Sequence, residues 1–202
     1  MMPPMTPPNT ARRRETSRRA ILTAAFDLLQ EVEYAKLSIE GIAARAGVGK
    51  QTIYRWWPSK GAVVLDAFLM LSEGAEGEPI RLPDTGDLTA DLTEVLRATV
   101  VELTDPRYEQ PMRALATEIA HDPDLAATYA QRLDGPLREA KRQRLRSAQL
   151  AGQLADDLDL DVAVDLIWGP LFQRWLHRGG PLTTDYTDRL VATALDGLRP
   201  RR

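Results

Sequence analysis

An all-α fold of about nine helices is what this sequence of 202 residues predicts. Apolar residues recur at three- and four-residue steps through most of the chain, and no stretch alternates with period two for long. Segment ends carry helix punctuation: Ser38, Ser59 and Asp87 stand before periodic runs, and Gly47 stands just after one. Composition agrees, with 44% hydrophobic and 27% charged residues, ordinary values for a globular chain. No internal repeat is visible.

Residues 1–11 are proline-rich and aperiodic, and read as disordered. From about Thr16 a helical stripe begins, carried by Ile21, Leu22, Ala25, Leu28, Leu29 and Val32. A second helix follows Ser38, with Glu40 in its positive first turn and Ile39, Ile42, Ala43 and Ala46 on its apolar face. It stops at Gly47. A short third helix spans about Lys50 to Trp56 and ends before Pro58. Ser59 then caps a fourth, with Val63, Val64, Ala67, Phe68 and Leu71 inward. Gly74 to Gly86 is a loop rich in glycine and proline. Asp87 caps a helix through about Thr104, and another runs from about Glu109 to His121. Asp122-Pro123 starts the next, which reaches Ala151 if Gly135-Pro136 kinks it and is otherwise split there. The run Lys141 to Arg146 reads as a solvated face of that helix. The last two helices span Asp161 to His177 and Thr184 to Leu198.

Charge is unevenly shared. Residues 1–60 carry a net +5 and residues 61–202 a net −8, within a total of −3. A basic end on an acidic body suits one part that meets phosphate and another that does not. Cysteine is absent, and the two histidines, His121 and His177, lie far apart in unlike contexts. The acidic group Asp156, Asp157, Asp159 and Asp161 reads as a loop and helix cap. No run approaches the ~18 apolar residues that cross a bilayer, and the opening MMPPMTPPNTARRRE has no apolar signal core. The expectation is a cytoplasmic protein that binds rather than catalyses, with no cofactor, no metal and no membrane partner.

The informative stretch is Ser38 to Lys60, SIEGIAARAGVGKQTIYRWWPSK. Two short helices meet at a tight turn at Gly47-Val48. Ala43 and Ala46 let them approach, and Val48 and Ile53 fill the space between them. This is a helix-turn-helix pattern, whose second helix enters the major groove of double-stranded DNA. The residues left outward on it are Lys50, Gln51, Thr52, Tyr54 and Arg55, which are donors and acceptors without a carboxylate. Gly49-Lys50-Gln51-Thr52 echoes a phosphate loop but fails as one: Ala44 stands at the first glycine, Gln51 follows the lysine, and no strand precedes it.

From about Arg18 to Phe68 the chain resembles the DNA-binding domain of the TetR family of bacterial transcription regulators. The resemblance is carried by Ala20-Ile21-Leu22-x-Ala24-Ala25, Ile42-Ala43-x-x-Ala46-Gly47-Val48, Thr52-Ile53-Tyr54 and Trp57-x-Ser59-Lys60. There are departures. Glu33 stands where the family often has glycine, Gly49 where a serine cap is usual, Trp56 where histidine is common and Trp57 where phenylalanine is. Chemistry and resemblance together make Gln51 and Thr52 base readers, and Arg55 either a guanine reader or a phosphate clamp. Tyr54, Lys50, Lys60 and Ser38 become phosphate contacts, and the Trp56 indole either donates to phosphate or simply packs. Trp57 is expected in the three-helix core, and Arg12 to Arg14 could fold onto a groove.

The implied division is a disordered basic arm over 1–14, a helix-turn-helix domain over 15–60, and a helical ligand-binding and dimerisation domain over 61–202. The resemblance implies a homodimer, with Val162, Leu166, Trp175, Leu190, Val191, Ala194, Leu195 and Leu198 on the last two helices facing the partner. An apolar effector pocket would draw on Phe68, Leu96, Met112, Leu115, Ile119, Tyr129, Leu133, Trp168 and Phe172, with Tyr129 as its polar handle. The expected function is a sequence-specific repressor that a small apolar effector releases from its operator. The competing reading is a helical small-molecule-binding module without specific DNA binding.

Overall fold

The computed structural model describes residues 10–72 and 80–200. Its first helix, α1 (Thr10–Glu31), begins earlier than the apolar stripe requires. Nothing after Pro8 opposes it: Ala11 to Thr16 contain good helix formers and neither glycine nor proline. Arg12, Arg13 and Arg14 therefore ride on a helix rather than on a disordered arm, and an ion pair from Arg18 to Glu15 at 3.7 Å supports this turn. The expected disorder of residues 1–9 lies outside the described residues.

At the exit of α1, Glu33 takes an extended conformation, and a 3-10 turn over Tyr34–Lys36 leads onward. The glycine it replaces is not needed, because no left-handed residue is used there. In α2 (Ile39–Ala46), the Ser38 hydroxyl accepts from the Gly41 N–H at 3.0 Å. The helix closes at Gly47, whose φ of 67° favours a residue without Cβ, with the Val48 N–H bonded to the Ala43 carbonyl. α3 (Lys50–Tyr54) is two residues shorter than expected; Arg55 caps it, and Trp56 has already left it. α4 (Lys60–Ser72) starts with the Ser59 hydroxyl accepting from the Ala62 N–H at 3.2 Å.

Of the loop expected over 74–86, residues up to 79 lie outside the described residues, and 80–86 are non-helical. α5 (Leu88–Thr104) is capped by Asp87. α6 (Pro106–Ile119) begins three residues before its expected start, because the Asp105 carboxylate caps it by accepting from the Arg107 N–H at 2.9 Å. Asp122 caps α7 (Pro123–Tyr129). Gly135-Pro136 neither breaks nor splits the run that follows. A π-turn over Ala130–Asp134 joins α7 directly to α8 (Gly135–Leu150), the Gly135 N–H reaching back to the Ala130 carbonyl. Asp159 caps α9 (Leu160–Leu176) and Thr183 caps α10 (Thr184–Leu198). Counted with the π-turn as one rod, α7 and α8 bring the described helices to the expected number, and no strand occurs among the described residues.

The described residues form two compact bodies. The first holds residues 10–72 and the segment Gln110–Leu125. Its core is built by Ile21, Leu22, Leu29, Ile42, Ile53 and Trp57, all buried. Gly61 is the close-approach point of this body: a Cβ there would lie 2.7 Å from Leu125 Cδ2 and 3.3 Å from the Glu118 carboxylate. The second holds residues 80–109 and 126–200. α10 packs on α5 and α9, and α8 packs on α9, around Leu92, Leu96, Leu145 and Ile167. Here the run Lys141–Arg146 departs from a solvated face, because Arg144 is only 4% exposed. It donates to the equally buried Asp91 at 2.6 and 3.0 Å and to the Pro83 carbonyl at 2.9 Å.

Candidate nucleic-acid interface

The α2–α3 hairpin presents one side of α3 to solvent because the other side is used up. Ile53 is fully buried, and Ile42 and Ala43 close the gap beneath it. Lys50, Gln51, Tyr54 and Arg55 are left exposed and Thr52 half-buried, as the spacing requires. Tyr54 keeps 53% of its surface in solvent, although it is a large aromatic. Lys50 approaches the Glu40 carboxylate at 3.6 Å with both side chains well exposed, a pairing that water weakens. Ser38 is exposed at the start of α2, with its hydroxyl oxygen engaged as the cap. α2 itself is held to α1 by a two-pronged bond from Arg45 to Glu31, at 2.9 and 2.6 Å.

Two tryptophans follow the helix and take different roles. Trp57 is 4% exposed and its indole N–H donates to the Asp66 carboxylate on α4 at 2.9 Å. Trp56 stacks on it, with ring centroids 5.7 Å apart, and stays half-buried.

Lys60, expected as a phosphate contact, is bonded within the first body. Its ammonium donates to the carbonyls of Tyr34 and Leu37 at 3.1 and 3.2 Å and lies 3.9 Å over the Tyr34 ring. It thereby ties the start of α4 to the turn between α1 and α2. The Tyr34 hydroxyl is buried without a well-formed hydrogen bond. Burial first, and the neighbouring Glu118 carboxylate second, hold its proton far above the usual phenol range.

The nine expected pocket residues divide between the two bodies. Phe68, Met112, Leu115 and Ile119 belong to the first, and Leu96, Tyr129, Leu133, Trp168 and Phe172 to the second. Phe68, Leu96, Leu115, Leu133 and Trp168 are buried; Met112, Ile119 and Tyr129 are half-buried; Phe172 is 39% exposed. Burial pushes the Tyr129 phenol up. Of the eight residues expected to face a partner, Val162 and Leu166 are about half exposed, at 52% and 51%, and Leu190 and Ala194 are half-buried. Trp175, Val191, Leu195 and Leu198 are instead interior residues of the protomer. Trp175 packs against Phe172 and donates its N–H to the Leu103 carbonyl at 3.1 Å, which commits it to α5.

The Arg18–Asp66–Trp57 linkage that braces the hairpin escapes sequence reasoning, and so does the Arg144–Asp91 pair. The one available signal was Asp66 itself, the single carboxylate of α4, in the apolar context AVVLDAFLML.

Residues 21–67 match the model of bacterial regulatory proteins of the tetR family, and residues 82–194 match that of tetracyclin repressor-like C-terminal domains. The chain is 36% identical over 188 residues to the uncharacterized HTH-type transcriptional regulator YdeS of Bacillus subtilis (strain 168), covering 93% of this chain and 92% of that one. It is 30% identical over 186 residues to the DNA-binding transcriptional repressor TetR of Mycobacteroides abscessus, covering 91% and 94% of the two chains. The crystal structure of the TetR family transcription regulator SCO0332 aligns with a TM-score of 0.71 at 36% identity, over 91% of this chain and 99% of that one.

Proposed function

The chain belongs to the TetR family of bacterial regulatory proteins, and from that premise we propose how it regulates transcription: as a repressor that grips an operator through α3. Gln51 and Thr52, at the start of α3, read base edges. Lys50 and Tyr54 contact phosphate, and Arg55 takes a guanine or a phosphate. The observation that carries this reading is the solvent face of α3, donor-rich and free of carboxylates, set on a closed apolar core.

One such helix spans few base pairs, so useful specificity needs two copies roughly 34–36 Å apart along the duplex. A homodimer supplies them, and the outward side chains Val162 and Leu166 of α9 give it an apolar contact. Residues 15–60 are then the DNA-binding segment, and residues 61–202 the dimerisation and effector segment, in a chain that acts by binding. A small apolar molecule that prefers a conformation with the two α3 copies off operator spacing releases the DNA. A full switch of that kind needs about 5.5 kcal/mol of differential affinity.

Mobility shift against the DNA upstream of the chain's own coding sequence tests the proposal. Retention of one fragment in the presence of excess unrelated duplex is expected. Equal retention of every fragment, or of none at low salt, would overturn specific regulation. Release of that fragment by apolar compounds, added singly, tests the effector.

A further inference from the structure

In the second body, α8 holds four cations that are buried or half-buried, and three of them are matched. Arg138 lies 2.8 Å from Asp165 and 3.2 Å from Asp161. Arg142 lies 3.7 Å from Glu139 and 3.8 Å from Asp161, and Arg144 is bonded to Asp91. Lys141, set among them, has neither an ion pair nor a hydrogen bond to any described residue. Its ammonium lies 5.1 Å over the Trp168 ring of α9. Burial pushes its proton affinity down, although the nearby Asp134 pulls the other way. Asp134 itself is exposed and forms no ion pair with it. A half-buried cation without a carboxylate costs stability, and one ring face offsets that cost only in part.

The π-turn aims a second polar group at the same place. A regular helix would set Tyr129 and Lys141 about 120° apart around the rod; with one extra residue absorbed in the π-turn they stand about 20° apart, on one face. Helix side chains lean toward the N-terminus, so Lys141 leans along that face toward Tyr129. Both residues feel the charge of Asp134, which lies between them in the chain. The half-buried Tyr129 hydroxyl also has no hydrogen bond to any described residue. On α9, Trp168 and Phe172 stand one turn apart, and Phe172 keeps 39% of its surface in solvent.

An unmatched ammonium beside an aromatic shelf, with a phenol further along, suits an apolar molecule that carries one negative charge. We propose that the second body binds an organic carboxylate at the α8–α9 seam, with Lys141 as its charge partner, Trp168 and Phe172 against its apolar part and the Tyr129 hydroxyl at its far end. The inference rests on the effector reading and gives that effector a charge.

Calorimetric titration of the full-length protein with 1-naphthoate, 1-naphthamide and 1-naphthylmethylammonium tests it, because the three share a ring system and differ in charge. Saturable binding of naphthoate is expected, about tenfold tighter than of the amide. Lys141→Gln should remove that preference and leave the amide unchanged, and Lys141→Arg should restore most of it. Asp134→Asn, which deletes a like charge, should tighten naphthoate alone. Saturable binding of none of the three, an amide or ammonium that binds as tightly as the carboxylate, or a preference that survives in Lys141→Gln overturns the site. Mobility shift with the retained DNA fragment scores the effector reading separately. Naphthoate that binds through Lys141 and leaves the fragment in place upholds the site and overturns its part in release.

Discussion

Asp91 is a carboxylate with 2% of its surface exposed, and it persists there because its oxygens have donors. Burial pushes its carboxyl up, but the Thr85 hydroxyl at 2.7 Å and the Arg144 guanidinium at 2.6 Å outweigh that and hold it below the usual carboxylate range. A carboxyl lowered on folding contributes stability at neutral pH, and that contribution drains away as pH falls below its unfolded value toward its folded one. Urea midpoints measured from pH 7 down to 3 should therefore show an acid-side loss that is smaller in Asp91→Asn. Asp91→Ala at pH 7 should cost about 3–5 kcal/mol, since it strands a buried guanidinium; a loss under 1 kcal/mol would mean that the pair stabilises little. A charge run on a helix says nothing about which member turns inward. Arg144 does so because it alone meets Asp91 and the Pro83 carbonyl, partners 53 and 61 residues away in the chain. The partners of Lys60 are hidden for a similar reason, because the carbonyls of Tyr34 and Leu37 that hold it are invisible to side-chain pattern.

Helix ends were the most legible elements. Ser38, Gly47, Ser59 and Asp87 each mark a real boundary, because a cap is a local bond between neighbours in sequence. The Gly135-Pro136 pair was harder. Proline lacks the N–H that Arg132 would need, and the chain answers with a wider turn rather than a break. Gly135 is bound to that solution, because a Cβ there would sit 2.8 Å from the Ala130 carbonyl oxygen. Alanine for glycine in an ordinary helix gains about 0.5–1 kcal/mol. Gly135→Ala should instead lose about 1–3 kcal/mol in urea denaturation, through overpacking. Gly197→Ala on α10, where a Cβ meets nothing within 4 Å, is the matched control with the opposite sign. A gain at both positions would show that the π-turn relaxes freely.

For the whole molecule, α9 is the element whose role periodicity could not settle. It is apolar on more than one side: Ala163, Ile167 and Leu171 face home, while Val162, Leu166, Phe172 and Leu176 remain at 37–52% exposure. Spacing identifies both stripes and cannot say which one is interior; α10 poses the same ambiguity, and Trp175 of α9 with Val191, Leu195 and Leu198 of α10, expected to face a partner, are interior to the protomer. Leu166→Asp puts a charge in the outward stripe at no cost to the protomer core. It should halve the mass seen by sedimentation velocity and abolish operator retention while leaving helix content intact; an unchanged mass would place the subunit contact elsewhere. The π-turn has a consequence of another kind. It houses one residue more than a regular spiral would over the same span, and the extra residue is absorbed locally. Excising Gln131 would let the spiral close and keep α8 in phase with its neighbours. Excising a residue from the middle of α8 would re-index every side chain beyond it, rotating each by about 100°.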